Sequence, residues 1–226
     1  MRPFVGALFC MLCRYFRMND TPELNKLLQD NPQIWRASSS TKTSQEGIST
    51  GFDALDAILP ARGWPANALV EVFVPHWGVG EMQLLLPTLL KVSQRDQWLA
   101  WVAPPLVPYA PGLVRKGLAL EKMIIFPHEK IQTDVLWVME KMLHNQSCGI
   151  AMSWPEQIND KAMRRLQLAA ETGHSLGFVF RDKKAQASPA ALRIRLTPTP
   201  QGIQVDLLKV RGGNKHRSVY LDLSIS

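Results

Sequence analysis

Apolar and polar positions follow two rhythms along the chain. Residues 69–74 (LVEVFV) form a short run rich in β-branched and apolar side chains, which predicts a strand buried on both faces. Residues 98–103, 122–126, 149–153 and 174–180 repeat that signature. Between these runs the period changes. Leu84, Leu85, Leu86, Leu89 and Leu90 dominate 82–92, which reads as a helix, Val135, Val138, Met139 and Met142 in 133–144 share one helical stripe, and 161–171 reads as a third helix. Strands separated by helices of this length imply βαβ units and a mostly parallel sheet with helices on both faces. The ending changes style. Runs at 191–196, 203–209 and 218–223 are separated by Pro-Thr-Pro-Gln-Gly and Arg-Gly-Gly-Asn, turn chemistry that predicts an antiparallel extension at one edge.

Ahead of this core, Thr21 and Pro22 open a short helix whose Leu24, Leu27 and Leu28 share one face, and Trp35 follows it. The expected layout is a short N-terminal helix within 18–36, a flexible polar linker at 37–47, and one core domain at 48–226. Leu24, Leu27, Leu28 and Trp35 are candidate partner-binding residues, because so small an apolar helix must dock on its own core or on another chain. Residues 1–17 carry Arg2 and an apolar stretch, but no small-x-small cleavage site follows. Met18 begins an ordinary polar start, so 1–17 is expected to be an upstream extension, with an apolar or membrane-directing tail as the alternative.

Composition adds bounds. At 226 residues and 46% hydrophobic, the chain has an ordinary globular make-up. No apolar run reaches the roughly 18 residues of a membrane span, so no membrane partner is expected. Three cysteines suit a reducing cytoplasm, and the dispersed histidines offer no metal-ligand spacing. The net charge of +7 is uneven: residues 183–226 hold eight basic side chains against two acidic ones. Lys183, Lys184, Arg193, Arg195, Lys209, Arg211, Lys215 and Arg217 are therefore candidate DNA-binding residues. Arg193 and Arg195 lie two apart on one strand, as do Lys209 and Arg211, so each pair shares a face and could line up a cationic stripe.

The loop after the first core strand is where nucleotide chemistry is sought. A phosphate loop needs G-x-x-x-x-G-K-[ST], with amides and a lysine around the phosphates and a hydroxyl on magnesium. Here the stretch is Pro75-His76-Trp77-Gly78-Val79-Gly80-Glu81-Met82. Gly80 keeps the second glycine, but Pro75, Glu81 and Met82 replace the first glycine, the lysine and the hydroxyl. At 4 Å each unit charge interaction is worth about 1–4 kcal/mol, so a carboxylate for the lysine disfavours triphosphate. No nucleophile elbow or loop-borne carboxylate pair offers other hydrolytic machinery, so neither a cofactor nor enzymatic activity is expected. Trp64, Trp77 and Trp154 are predicted at the carboxyl edge, either as a plug filling the emptied crevice or as an exposed anchor for a protein.

Ile48-Ser49-Thr50-Gly51, Leu55-Asp56, Gly63-Trp64-Pro65 and Val70-Glu71-Val72 resemble the run that leads into the phosphate loop of RecA-like recombinases. Their catalytic Glu and Walker B Asp have no counterpart, since Ala103-Pro104-Pro105 and Met152-Ser153-Trp154 occupy those positions. Within that superfamily, 83–87, 98–105 and 177–181 resemble both the SulA cell-division inhibitors and the ImuA family of translesion-synthesis accessory proteins. Residues 108–111, 164–170 and 207–213 resemble ImuA in particular. The resemblance implies an ATPase-dead, SOS-induced accessory protein of DNA repair. It would bridge single-stranded DNA or RecA to an error-prone polymerase and a Y-family-like subunit, with homo-oligomerisation possible through the N-terminal helix. A SulA-like inhibitor acting on the tubulin-like division protein is the alternative. A residual nucleotide switch using Gly78 and Gly80 is a third reading.

Overall fold

The computed structural model describes residues 47–131, 134–182, 188–211 and 217–223. Every predicted core strand forms, within three residues of its expected bounds. In chain order they are β1 (Leu69–Phe73), β2 (Trp98–Val102), β3 (Met123–Phe126), β4 (Cys148–Ser153), β5 (Leu176–Arg181), β6 (Leu192–Thr199), β7 (Gly202–Val210) and β8 (Ser218–Asp222). They build one sheet in the order β3-β2-β4-β5-β1-β6-β7-β8. The first six pair in parallel, whereas β7 and β8 return antiparallel. The fold is thus α/β, a mostly parallel sheet with an antiparallel extension at its C-terminal edge.

The helices are α1 (Asp53–Ile58), α2 (Glu81–Ser93), α3 (Ala110–Arg115), α4 (His128–Ile131), α5 (Val135–His144) and α6 (Asp160–Gly173). They cover both faces because successive strand residues point to opposite sides. Val70, Val72, Trp101, Met152, Phe178 and Ile194 pack with Leu55 of α1 and with Leu84, Leu85 and Leu89 of α2. Leu69, Ala100, Val102, Ala151 and Val179 face the opposite way, onto Met139 and Leu143 of α5 and Met163 and Leu166 of α6. No helix among the described residues is long and apolar enough to cross a membrane.

The lead-in segment is tied to the core by specific bonds. Ile48 and Trp64 exchange backbone hydrogen bonds of 2.9 and 2.7 Å. The Thr50 amide donates to Asp56 Oδ1 at 2.9 Å, and Trp64 Nε1 donates to Thr88 Oγ1 of α2 at 2.9 Å. Gly51 has φ +89, and a Cβ there would lie 2.3 Å from Cβ of Pro87, so helix and lead-in approach closely only because this residue is glycine.

Candidate functional site

The phosphate-loop counterpart joins β1 to α2. Gly80, at φ 106, turns the chain into the helix, and its carbonyl accepts the Leu84 amide at 2.9 Å. Two contacts decide what this loop does. The Gly78 amide, a donor of the kind that would hold a phosphate, donates to Glu81 Oε1 at 2.8 Å. Glu81 is 5% exposed, so its carboxylate sits inside the loop as an internal anion at the helix N-terminus, where the macrodipole favours negative charge. Its Oε2 has no hydrogen-bond partner among the described residues. A Cβ on Gly80 would meet Leu223 Cδ1 at 2.7 Å and Ile203 Cγ2 at 3.1 Å, so the C-terminal strands press against the loop from outside. Pro75 and the loop residues through Gly78 are exposed, and Met82 packs partly buried against the core.

Next to this loop, the carboxyl edge of the parallel strands holds a cleft of about 460 Å³. Each of the first five strands contributes to it: Trp77 follows β1, Ala103-Pro104-Pro105 follow β2, and His128-Glu129 follow β3. Trp154-Pro155-Glu156 follow β4, and Arg181-Asp182 end β5. Ala103 takes a left-handed φ of 54 while its amide bonds Phe126 O at 2.8 Å, a strained alanine at the head of a loop. That loop continues through Leu106, Val107 and Tyr109, which are 76%, 82% and 69% exposed. Prolines at 104, 105 and 108 stiffen it.

The tryptophans divide. Trp154 is 7% exposed and stacked between Trp101 (6.0 Å between centroids) and Phe180 (4.7 Å, 9° between planes), so it packs into the core beside the cleft and leaves the cleft open. Trp77 is 37% exposed on the cleft wall. Trp64 departs from its expected place. It precedes β1 rather than following a strand, and lies fully buried edge-on to Phe178, so it belongs to the core and not to the carboxyl edge.

The basic residues divide too. Arg193 is 5% exposed: its Nε donates to Glu71 Oε2 at 2.7 Å, and its guanidinium lies 5.1 Å from the Phe73 ring centroid. Arg181 reaches the other oxygen of the same carboxylate from β5, at 2.8 Å. Glu71 is wholly buried in the central strand, and the neighbours on both sides each supply an arginine. The expected stripe is therefore corrected at its centre, because Arg193 shares a face with Arg195 but is spent inside the protein. Lys209 Nζ donates to Ser188 O at 2.6 Å, and Arg211 pairs with Glu171 at 2.9 Å. Arg195 and Arg217 are exposed. Lys183, Lys184, Lys215 and the candidate partner-binding residues Leu24, Leu27, Leu28 and Trp35 lie outside the described residues, as do 1–17 and the linker up to residue 46.

Sequence reading missed Glu71, although a lone carboxylate inside an apolar strand signals that a cation must meet it. It placed a crevice at the carboxyl edge but named only Trp77 and Trp154 of its lining, because no motif marks residues brought together only by strand order.

The family model described as "Cell division inhibitor SulA" matches residues 73–177, slightly less than half of the chain. The SulA of Photorhabdus laumondii is 28% identical over 134 residues, which is 59% of this chain and 70% of that protein. SulA proteins of Yersinia pestis and Yersinia pseudotuberculosis are 31% identical over 103 residues. That match takes in 44% of this chain, and the chain spans only 58% of the length of these relatives. Among solved structures, the RadB recombinase superimposes with a TM-score of 0.60 at 18% identity, covering 77% of this chain and 95% of RadB. The central segment is thus SulA-related, and the fold is the RecA-like one.

Proposed function

We propose that this protein is a non-catalytic adaptor that binds other proteins at the carboxyl edge of its sheet. Its target on this reading is the tubulin-like division protein, which it would inhibit as a SulA-type regulator after DNA damage. One observation carries the adaptor reading: the Glu81 carboxylate occupies the amide donor that a phosphate would need, while the next loop along displays Leu106, Val107 and Tyr109 to solvent. The first feature removes the fuel. The second supplies the surface, since exposed apolar residues held on a proline-stiffened loop lose little conformational freedom on binding. The similarity to SulA over 73–177 includes this loop and supports the choice of target.

A second reading keeps the same adaptor in translesion synthesis, in the manner of ImuA. What favours it is the part of the chain outside 73–177. The lead-in 48–51, α1 and the strands β6–β8 are integral to the described fold, and the ImuA resemblance at 207–213 falls partly on β7. Here the partners are an error-prone polymerase, a Y-family-like subunit or RecA, with Arg195 and Arg217 as the exposed cations for single-stranded DNA.

Light scattering of the GTP-driven division-protein polymer decides between the two. A drop in scattering at equimolar protein, reversed by Leu106→Asp/Tyr109→Asp, supports the inhibitor. Unchanged scattering, with polymerase subunits recovered in pull-downs after DNA damage, transfers the adaptor to the second reading. Hydrolysis of ATP by the purified protein would overturn both.

A further inference from the structure

We infer that the flank built by the loop after β2, by α3 and by the end of α2 is a two-part docking surface whose partner is an acidic protein surface with an apolar pocket beside its carboxylates. The inference rests on the adaptor reading and names the chemistry its partner must present.

The apolar part is concentrated. Among the described residues eight large apolar side chains are exposed, and four of them, Leu106, Val107, Tyr109 and Val114, fall within 106–114. Residues 103–114 carry no charged side chain. Apolar residues scattered singly are ordinary on a surface, whereas a cluster of this kind marks a contact site.

The cationic part is assembled by the fold. Lys91 and Arg95 come from the end of α2 and the turn after it, Arg115 and Lys116 from the end of α3, and all four are exposed. Leu90 Cδ2 lies 3.8 Å from where a Cβ on Gly117 would stand, and Leu90, Leu113 and Met123 pack against the same core cluster, so the two helix ends and the start of β3 meet. Lys122 adds a fifth cation, bound to Asp96 and 5.4 Å from the Trp98 ring centroid. Outside that pair, Glu121 is the one acidic residue within 90–98 and 103–123. Lys91, Arg95 and Arg115 form no ion pair with a described residue.

The two parts lie at opposite ends of the flank. Strands β1 and β2 run the same way in the parallel sheet, so α2 runs back between them and carries its cations to the amino end, whereas the apolar loop leaves β2 at the carboxyl end. A partner that fits must place its apolar and anionic features apart in the same manner. On such a surface the charges steer encounter and the apolar burial holds the complex.

The test measures association and dissociation rates of the full-length protein with the purified tubulin-like division protein in its GTP form. Lys91→Glu/Arg115→Glu should slow association about tenfold and change dissociation less than about twofold. Leu106→Asp should do the reverse, speeding dissociation while association is nearly kept. Raising salt from about 50 to about 500 mM should slow association of the wild type and leave that of the charge variant nearly flat. Lys161→Glu/Arg164→Glu makes the same change in net charge on α6, across the sheet, and should leave both rates unaltered. All these positions are exposed, so an unmoved thermal midpoint excludes a folding artefact. The inference is overturned if the α6 variant slows association equally, because net charge alone then accounts for the effect. It is overturned too if Lys91→Glu/Arg115→Glu leaves association unchanged or speeds it. If Leu106→Asp still weakens binding in that case, the acidic partner falls and the adaptor stands. If the wild type does not bind at all, the target reading falls and takes this inference with it.

Discussion

Replacing Glu71 by glutamine tests how the sheet holds its central charge. Glu71 is fully buried and meets Arg193 Nε at 2.7 Å and Arg181 Nη1 at 2.8 Å. The Arg181 and Arg193 side chains are 16% and 7% exposed, so losing the carboxylate strands one guanidinium in the interior and a second at its margin. Removing one partner of a buried pair costs about 3–5 kcal/mol, because the remaining charge stays desolvated. For a domain of this size each kcal/mol lowers the midpoint by about 2–4 °C, so Glu71→Gln should melt some 6–20 °C below the wild type. Arg193→Met should fall at the milder end, since Glu71 keeps Arg181 and methionine can still cover Phe73. The double variant Glu71→Met/Arg193→Met should recover part of the loss, as apolar replacement of buried ion pairs commonly does. Urea unfolding at pH 7 gives the free energies, and fluorescence anisotropy with labelled single-stranded DNA is run on the same samples. Arg195→Ala is the contrast: an exposed site, expected within about 0.5 kcal/mol of wild type, and the proper probe for a DNA surface. If Arg193→Met costs less than about 1 kcal/mol and yet weakens DNA binding, the residue is available at the surface and the argument from burial is wrong.

Two further outcomes follow from groups described above. Glu81→Ala removes a charge-assisted bond to the Gly78 amide but also relieves the unpartnered Oε2, so a net loss of about 1–2 kcal/mol is expected in urea unfolding; an unchanged or raised midpoint would mean that the carboxylate does not brace the loop. Burial pushes the Cys148 thiol up to about 12 from 9.0, so peptide mapping after iodoacetamide at pH 8 should find it unmodified until denaturant is added. The unfolded thiol ionises first, so this group's contribution to stability is constant below pH 9.0 and declines as pH rises through about 12; alkylation of Cys148 in the native protein would contradict its burial.

Much of the architecture was legible because long strands and helices announce themselves by period. The run Leu69-Val-Glu-Val-Phe73 could be little else than a buried strand, and the leucines of α2 marked a helix, although the consecutive Leu84, Leu85 and Leu86 did not single out the face that is buried. Helices α1, α3 and α4 escaped notice for a physical reason: at six residues or fewer they complete too few turns to show an apolar stripe. The basic stripe illustrates a different boundary. Period two correctly puts Arg193 and Arg195 on one face, but that Arg193 is drawn inside depends on Glu71 of β1, which lies 122 residues away in sequence. The loss of phosphate chemistry was visible in Glu81 itself. That its carboxylate turns back onto Gly78 was not, since this follows from a rotamer and a left-handed Gly80.

The placement of β1 between β5 and β6 has a consequence for how the chain is made. Glu71 leaves the ribosome long before either of its arginines, which follow 110 and 122 residues later. Until the first of them emerges, the nascent middle strand has neither neighbour nor counter-charge, and until the second does it lacks one of each, so its apolar faces stay open to any chaperone or stray strand nearby. A translation stop anywhere between β5 and β6 would therefore yield a product that cannot close its own centre, rather than a smaller working version of the molecule.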